Sequence, residues 1–416
     1  MYKMTPIDNI LIYIFLFISL YFEVFFLITF LEYRNKPEKK LLLPNKLPTV
    51  TIMVPCWNEE RTVAKTIKSL LALDYPKNKL QIFAIDDGST DGTWNIIKRF
   101  EKNPQVQIFK KENGGKHTAL NHGLDYIDTD LVGCLDADSF VHPNALKEIV
   151  RIFASDEKIM AVTPAIVIHN PKTWIQIIQK AEYLLSVFIR KVASLIDALF
   201  VTPGPFSIFR TSVIKEMEGY RHGHNTEDLE LALRLQKNHY KIGNCPNAYV
   251  YTTGPKTLKD LYRQRVRWTH GFLENAKDYR EMFFTKKYGN LGILMLPVAL
   301  ISIFTALYFT MILFVSVMEK LISKILEWTT VGINIQTQQF SIPDIFFINT
   351  DSMIFITIAL ISITVILILI GKNMVGEKLS ISRDMIYYLF LYGFIAPFWL
   401  AKSVYNSVLA KRSTWR

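Results

Sequence analysis

An almost unbroken apolar run close to the beginning of the chain restricts the fold more than any other feature of the sequence. Residues 10–31 are nearly all Ile, Leu, Phe, Tyr and Val. A helix of about 20 such residues matches the roughly 30 Å hydrocarbon core of a bilayer. A signal peptide would have a charged start, a shorter apolar run and a small-residue cleavage site, and none is evident. We therefore predict an uncleaved N-terminal transmembrane helix within residues 1–31.

One acidic residue, Glu23, lies inside this run. A carboxylate in lipid is costly and usually faces the interior of the protein. We expect Glu23 to be neutral or paired and packed against another span, in preference to a role in transport.

Three further apolar runs lie late in the chain, at about residues 291–317, 351–371 and 385–404. Charged residues make up only 20% of the chain, below the roughly 25% of soluble domains. The runs predict a C-terminal transmembrane region of about three helices over residues 291–416. Residues 32–290 are mixed in composition and form the predicted soluble domain.

The distribution of Lys and Arg predicts the side of the membrane on which this domain lies. Basic residues cluster just after the first span and just before the second, and such clusters mark cytoplasmic loops. They are Arg34, Lys36, Lys39, Lys40 and Lys46 at one end, and Arg263, Arg265, Arg267, Lys277, Arg280, Lys286 and Lys287 at the other. We predict a multi-pass protein of the plasma membrane with a cytoplasmic domain. Four spans would place the basic tail at 411–416 outside, and a re-entrant piece within 318–350 is the alternative to that count.

Charge and cysteine content exclude other classes of protein. The net charge of +11 invites a nucleic-acid hypothesis, but basic cytoplasmic loops beside membrane lipid explain it, so we expect no nucleic-acid partner. The three cysteines lie far apart without Cys-x-x-Cys spacing, which indicates neither a disulfide framework nor a zinc site.

The soluble domain alternates predicted strands and helices. Short β-branched runs predict strands at 49–55, 81–85, 106–109, 131–135 and 160–168, and helical spacing predicts helices at 61–73, 92–101 and 117–126. This alternation is typical of an α/β fold, with a mainly parallel sheet and helices on both faces. Ligands of such sheets bind beyond the carboxyl ends of the strands.

Two acidic clusters fall at those strand ends. Asp136 and Asp138 are two residues apart, so both carboxylates point to one side of an extended segment and suit Mg²⁺ or Mn²⁺. The alternative for Asp136 and Asp138 is a solvated turn without a metal. The alternative for the cluster at Asp86-Asp87 is a turn that caps the next helix, which explains residues 88–91 well. Two such clusters closing two strands favour a site for a polyphosphate-bearing nucleotide.

A third acidic cluster, Thr226-Glu227-Asp228, precedes a predicted helix. The cluster is either a helix cap or a general base that takes a proton from an attacking hydroxyl. The positive end of the helix dipole would keep the pKa of Asp228 low. His222 and His224 nearby suggest a metal site, although surface histidines explain them better.

A basic stretch places Gln264, Arg267 and Trp268 at i, i+3 and i+4, on one face of a helix. An amide, a guanidinium and an indole there suit a diphosphate and a sugar ring. The alternative is a juxtamembrane helix with its Arg and Trp at the level of the lipid headgroups.

Taken in order, these motifs resemble the family-2 membrane glycosyltransferases. The resemblance is greatest to the processive group of cellulose, chitin, hyaluronan and poly-N-acetylglucosamine synthases, and it covers about residues 50–270. Gln179-x-x-Glu182-Tyr183 also resembles these enzymes, on an apolar-patterned helix over 174–188 that suits the membrane interface. The matching motifs are Pro55-x-x-Asn58-Glu59, Asp86-Asp87-Gly88-Ser89-x-Asp91, Gly114-Gly115-Lys116-x-x-Ala119-Leu120-Asn121, Asp136-x-Asp138, Thr226-Glu227-Asp228 and Gln264-x-x-Arg267-Trp268.

The resemblance implies a Rossmann-like GT-A domain with interfacial helices, a UDP-sugar donor and Mg²⁺ or Mn²⁺. It implies an inverting transfer of N-acetylglucosamine or a similar hexose to a growing β-linked polysaccharide, coupled to export, and leaves room for an accessory export partner. It also implies roles for individual residues. On the donor side, Asp87 would bind the uridine with Asp86 beside it, Asp138 would bind the metal with Asp136, and the further donor residues are Pro55, Asn58, Glu59 and Lys116. On the acceptor side, Asp228 would be the base with Glu227 next to it. The diphosphate and the acceptor sugar would be held by Gln264, Arg267 and Trp268.

Two alternatives stay open at this point. An enzyme that adds one sugar to a polyprenyl phosphate would share the acidic motifs but has less need of Gln-x-x-Arg-Trp. A non-catalytic membrane partner or a transporter would be free to lose the acids at 86, 87, 136, 138 and 228, all of which are present.

Overall fold

A computed structural model describes residues 6–34, 41–331 and 352–409 of the protein. Within these residues an eight-stranded sheet forms the centre of the soluble domain, in the order β3-β2-β1-β4-β7-β6-β8-β5. The strands are β1 (Val50–Cys56), β2 (Leu80–Asp87), β3 (Val106–Lys111), β4 (Leu131–Cys134), β5 (Phe140–Val141), β6 (Ile159–Ile168), β7 (Ile208–Arg210) and β8 (Lys241–Thr252).

The first half of the sheet is parallel and places the acidic clusters at one edge. β1 pairs with β2 and β4, and β2 pairs with β3, all in parallel. The residues of β1, β2 and β4 are buried almost throughout, as expected for strands covered by helices on both faces, whereas those of the edge strand β3 are mostly half-buried or exposed. The five strands predicted from β-branched runs are β1, β2, β3, β4 and β6, and the predicted α/β architecture with a mainly parallel first half is confirmed.

The second half of the sheet contains three strands that the sequence pattern does not predict. β7 pairs antiparallel with β4 and β6, and β5 pairs antiparallel with β8. β5 and β7 have two and three residues, too few to show a period. β8 is interrupted in sequence by Gly243 and Pro246, and its parallel pairing with β6 shifts register beside Pro164.

Helices cover both faces of the sheet and continue into the membrane region. Two apolar clusters lie on the two sides of the sheet, and the larger one also includes Phe26 of the first span and Leu367 of the third. The helices are α1 (Pro6–Arg34), α2 (Val63–Leu71), α3 (Thr93–Ile97), α4 (Lys116–Leu124), α5 (Ala145–Ser155), α6 (Trp174–Leu195), α7 (Thr211–Glu216), α8 (Glu227–Lys237), α9 (Leu258–Asp278), α10 (Leu296–Val331), α11 (Ser352–Met374), α12 (Arg383–Tyr387) and α13 (Gly393–Val408).

Four helical segments of the described chain are long and apolar enough to cross a membrane: Ile10–Arg34, Leu291–Thr330, Ser352–Met374 and Arg383–Val408. The second is longer than predicted because the helix continues through residues 318–331. The fourth includes the π-helical turn Tyr388–Tyr392 between α12 and α13. The rest of the region considered for a re-entrant piece, and the basic tail, lie outside the described residues.

The membrane helices pack on each other and on α6. Glu23 in α1 accepts a hydrogen bond from Thr364 in α11 (2.7 Å), so it is packed against another span as predicted. α11 crosses α6 so closely that a Cβ on Gly371 would lie 2.1 Å from the Leu184 carbonyl oxygen. α6 therefore lies between the sheet and the spans. Its first turn is held by a capping box of Thr173 and Gln176.

Candidate active site

The loops that follow β1 and β2 are bonded to each other at the carboxyl edge of the sheet. Asn58 lies in the left-handed region (φ 56°), and its amide oxygen accepts a hydrogen bond from the Thr90 N–H (2.9 Å). The Glu59 N–H donates to the Thr93 hydroxyl (2.7 Å). Pro55 is a residue of β1 itself, just before this loop. The predicted donor residues Asn58 and Glu59 therefore shape the rim of the edge through their local bonds.

The two carboxylates at the end of β2 have different surroundings. Asp87 accepts hydrogen bonds from Lys111 (2.7 Å) and from the N–H groups of Gly114 and Gly115 (3.1 and 2.9 Å). Asp86 is fully buried and accepts one bond, from the Ser89 N–H, while its Oδ2 has no partner among the described residues. The predicted uridine role of Asp87 therefore competes with its bonds to the 111–115 loop, and Asp86 is the residue with an acceptor oxygen to spare.

Lys116 connects the acidic cluster at Asp136 and Asp138 to the acidic cluster at 226–228. At the start of α4, its ammonium is 2.7 Å from Asp136 and 2.8 Å from Glu227. Burial alone would lower the pKa of this ammonium, but the carboxylates of Asp136 and Glu227 raise it well above its ordinary value. A Cβ on Gly204 would lie 2.5 Å from the Lys116 Nζ. The ammonium thus fills a position that only a glycine at 204 leaves open.

Asp138 lies where negative charge is concentrated. Its carboxylate accepts a hydrogen bond from the Ser139 hydroxyl (3.0 Å). Burial raises the pKa of Asp138 to about 7, and the neighbouring charges of Asp136 and Glu59 add to that rise. A carboxyl held in this way gains from a cation beside it. The predicted pair at 136 and 138 therefore fits a divalent metal.

The shift in the pKa of Asp228 is the opposite of the predicted one. It lies at the start of α8, where the helix dipole was expected to keep its pKa low, but burial and then the charge of Glu227 raise that pKa. Desolvation and a like charge outweigh the dipole, which is worth only about 0.3–1 kcal/mol. Thr226 forms no side-chain capping bond, because its hydroxyl donates to the Gly223 carbonyl (2.7 Å). The capping hypothesis is therefore wrong for Thr226.

The helix α9 brings the last predicted motif to this edge. Arg267 donates to the Asn225 carbonyl (3.0 Å), immediately before the Thr226 cluster. Its charge lowers the pKa of Glu227 and opposes the rise at Asp228, after larger effects of burial and of Lys116. Gln264 accepts a hydrogen bond from Arg265 (3.2 Å), and Trp268 has the Arg265 guanidinium 4.2 Å from its ring centre. The structure thus brings Arg267 close to Glu227 and Asp228, with Gln264 and Trp268 on the same helix.

Arg265 makes a contact in the structure that its sequence motif does not predict. Its guanidinium is buried and bonds Glu182 of α6 (2.7 Å). The only signal was the position of Glu182 in the Gln179-x-x-Glu182-Tyr183 motif, and sequence spacing cannot show that the two helices meet.

His222 and His224 lie in the loop before Asp228, and the ring of His222 stands 5.2 Å from that of His117, the residue after Lys116. His224 is 2.8 Å from Asp278, and both line a cleft of about 640 Å³ between α8 and α9. His222 is exposed and His224 pairs with Asp278, as expected of surface histidines. The three cysteines are free and buried.

The carboxyl edge of this α/β sheet carries paired carboxylates after β4, two buried acids at the end of β2 and an acidic helix start facing an arginine, as expected for a glycosyltransferase of the GT-A class. The sequence profile described as glycosyltransferase like family 2 matches residues 48–271, and the chain belongs to this family. It is therefore an enzyme of the transferase class.

Several curated relatives have the same description. A poly-β-1,6-N-acetyl-D-glucosamine synthase of Staphylococcus epidermidis is 32% identical over 288 residues, which cover 68% of this chain and 69% of the relative. The protein of that name from Staphylococcus aureus strain COL is 32% identical over 285 residues, covering 67% and 68%. Among solved structures, the mannosyltransferase PcManGT of Pyrobaculum calidifontis, in complex with GDP-Man and Mn²⁺, superposes with a TM-score of 0.62 over 96% of this chain and 99% of its own. At 16% identity that likeness supports the fold alone.

Proposed function

We propose that the protein transfers N-acetylglucosamine from UDP-N-acetylglucosamine to the growing end of a β-linked polysaccharide, with inversion at the anomeric carbon. The observation that carries this proposal is the 32% identity to poly-β-1,6-N-acetylglucosamine synthases over two thirds of the chain. The acidic edge of the sheet supports it, because the motifs assigned to donor, metal and acceptor converge there.

The donor would lie across the carboxyl ends of β1, β2 and β4. Asp86 would offer its Oδ2, which has no partner in the described part of the chain, to an N–H or hydroxyl of the nucleoside, while Asp87 holds the 111–115 loop in place. Asp138, with Asp136 supporting, would hold Mg²⁺ or Mn²⁺. Two protein carboxylates are enough for such ions, which keep waters and take phosphate oxygens as further ligands. When bound, the ion neutralises charge on the diphosphate.

The residues of this chain then account for the transfer step. The acceptor hydroxyl forms a bond to the anomeric carbon as the bond to the diphosphate breaks. Asp228 takes the hydroxyl proton, and a pKa raised toward neutral makes it a better base than an ordinary aspartate. Arg267 stabilises the charge that develops on the leaving UDP. Lys116 keeps Glu227 ionised and paired, which leaves Asp228 as the carboxylate for the proton.

Membrane placement completes the proposal. The four apolar helices fit a multi-pass protein of the plasma membrane whose GT-A domain, within residues 32–290, lies in the cytoplasm. The helices α6 and α9 contact the spans beside the acceptor motif, so the polymer would leave the site next to the membrane. Export through the bundle, with or without an accessory partner, would follow from this placement.

A reconstituted assay tests the proposed function. The protein is purified in detergent and supplied with a panel of UDP-sugars, with Mg²⁺ or Mn²⁺ and with a metal chelator as control. UDP release and product length are measured together. We expect UDP-N-acetylglucosamine to give metal-dependent release and a ladder of long products. Addition of one sugar to a lipid acceptor without elongation, or preference for another sugar, would contradict the proposal.

A further inference from the structure

Arg265 occupies the centre of the Gln-x-x-Arg-Trp motif although it is not one of the residues that define it. Its guanidinium donates to the Gln264 amide oxygen (3.2 Å) and lies 4.2 Å from the centre of the Trp268 ring. One planar cation therefore orients both neighbouring side chains, one through a hydrogen bond and the other through its π face.

Arg265 is in turn held from outside its own helix. Its side chain is almost fully buried, and the Glu182 carboxylate on α6 is its counter-charge (2.7 Å). Burial tends to lower the pKa of this guanidinium, but Glu182 raises it above its ordinary value, so Arg265 stays charged although it is buried. The other Glu182 oxygen accepts a hydrogen bond from the Tyr392 hydroxyl (3.0 Å). Tyr392 lies in the π-helical turn of the last span.

This chain of contacts connects the last membrane span to the acceptor side of the site. Tyr392 fixes one oxygen of Glu182, the second oxygen fixes Arg265, and Arg265 orients Gln264 and Trp268. Within its own span the Tyr392 ring is flanked by the rings of Tyr388 (4.8 Å) and Trp399 (5.6 Å), which restrict its orientation. A helix with a π-turn here presents Tyr392 toward α6, and such turns are frequent at functional sites.

We propose that Glu182, fixed by Tyr392, is a positioning residue for the acceptor sugar. It acts through Arg265 on Gln264 and Trp268 and does not itself touch the reacting atoms. The inference rests on the proposed function for the role of Trp268, but the physical contact chain can be measured without any turnover. Its direct consequence is that the last span helps to set acceptor binding and leaves donor binding unaffected.

The first arm of the test measures the environment of Trp268. The variants are Glu182→Gln, which removes the charge, and Tyr392→Phe, which removes only the hydroxyl and is the milder change. Tyr387→Phe is the matched control, because Tyr387 lies five residues earlier in the same span and no bond to Glu182 is described for its hydroxyl. The parent and each variant are also made with Trp268→Phe, and the difference in emission between the two forms gives the fluorescence of Trp268 alone. Trp268 is 37% exposed in the parent.

We expect acrylamide to quench Trp268 at least twofold more strongly in Glu182→Gln and Tyr392→Phe than in the parent, with Tyr387→Phe unchanged. Loss of the guanidinium from one face of the ring exposes the indole and frees its rotation. Equal quenching in Tyr392→Phe and the parent would overturn the proposal. This arm gives an answer even when Glu182→Gln fails to fold, and even when no sugar is transferred.

The second arm separates acceptor from donor. With an oligosaccharide acceptor of β-linked N-acetylglucosamine, the acceptor KM should rise about tenfold in both variants, since small displacements of positioning groups have effects of this order. UDP affinity should stay within twofold of the parent. A parallel loss of UDP affinity would show general damage and overturn the positioning role. A parent protein that transfers nothing would instead refute the proposed function, and the fluorescence arm would still decide the contact chain.

Discussion

At the scale of single residues, Glu227 and Asp228 show how two adjacent carboxylates acquire different chemistry. Burial raises the pKa of both groups, but the Lys116 ammonium reverses this for Glu227 and lowers its pKa. Asp228 has the charge of Glu227 beside it and no such partner at 2.8 Å, so its pKa is raised. Neighbouring groups whose environments push their pKa values apart indicate which one handles the proton. Glu227 is the counter-ion of Lys116, which favours Asp228 as the proposed base.

The first prediction concerns Asp228→Asn. The amide keeps the shape but cannot take a proton, so glycosyl transfer should fall by about 10²–10⁴, the usual loss of a general base, with UDP affinity nearly unchanged. Turnover and UDP binding are measured on the same preparation. Asp260→Asn is the control, because Asp260 is an exposed acid in the first turn of a different helix, α9. Near-parental turnover of Asp228→Asn would remove this residue from the catalytic site.

The second prediction concerns pH. The pKa of Asp228 is raised to about 6, and only its ionised form takes a proton. The base is therefore present above pH 6 and is lost as the pH falls through 6. We expect kcat/KM to decrease about tenfold per pH unit below this value, and the Asp228→Asn variant to lack that limb. A parent profile that stays flat down to pH 4.5 would contradict the assignment.

The third prediction concerns Asp138→Ala. Loss of one charged ligand should abolish turnover and remove the part of UDP affinity that depends on Mg²⁺ or Mn²⁺, while UDP binding in chelator stays at the parent level. Titration calorimetry with UDP, with and without metal, separates the two contributions. Asp87→Ala is the contrast: it loses Lys111 and two backbone N–H groups, so UDP binding should weaken in chelator as well. Metal-independent loss in Asp138→Ala would show that the metal site is misplaced.

At the scale of elements, α6 is the joint between the sheet and the membrane helices. Its buried residues include Leu184, which packs with Ile368 of α11 and Met385 of α12. Lys180 forms an ion pair with Glu377 in the loop after α11 (2.9 Å). The apolar positions predicted to face the membrane interface therefore pack against protein on two sides, while Trp174 at the helix start is exposed.

The fourth prediction concerns Gly371, where α11 and α6 make backbone contact. A Cβ would lie 2.1 Å from the Leu184 carbonyl oxygen, and backbone cannot move aside as a side chain can. Gly371→Ala should cost about 1–3 kcal/mol of stability, the usual range for overpacking, and lower the melting temperature in detergent. The control is Gly393→Ala, also in a span, where a Cβ would meet no atom within 4 Å. Equal melting of the two variants would contradict this crossing.

The limits of prediction follow from how far each property acts along the chain. Strands β1, β2, β4 and β6 can be predicted because burial on both faces requires continuous apolar runs, and the half-buried β3 can be predicted from Val106, Ile108 and Phe109. β7 cannot be predicted in this way, because a three-residue strand depends on pairing partners that lie more than 40 residues away in sequence. The carboxylates at 136, 138 and 228 could be chosen from local patterns, but the pKa of Asp228 depends on burial. The Arg265–Glu182 pair joins residues 83 positions apart, which spacing cannot reveal.

At the scale of the whole molecule, the soluble and membrane parts share one interior. Phe26 of α1 and Leu367 of α11 belong to the same apolar cluster as Met53 and Phe83 of the sheet. α9 packs along α13, and Lys277 donates to the Ser407 carbonyl (2.7 Å). The GT-A domain is therefore fixed to the bundle on one side, and its position relative to the membrane follows once the orientation of the spans is known.

The fifth prediction is this orientation. Basic clusters flank the domain, so it should be cytoplasmic, and α10 should cross outward from residue 291. At 1.5 Å per residue, about 20 residues cross the hydrocarbon core, which leaves Ser323 on the far side. Single cysteines at Ser323 and at Glu157, both exposed, report the two sides; the native cysteines are buried and stay silent.

A membrane-impermeant maleimide applied to intact cells should label Ser323→Cys and leave Glu157→Cys unlabelled until the membrane is permeabilised. Labelling of Glu157→Cys in intact cells would place the GT-A domain outside, where no cytoplasmic pool of UDP-sugar reaches it. That result would refute the topology and the proposed donor together. Labelling at neither site before permeabilisation would instead show that α10 does not cross, because Ser323 would then lie on the same side as the acidic edge of the sheet.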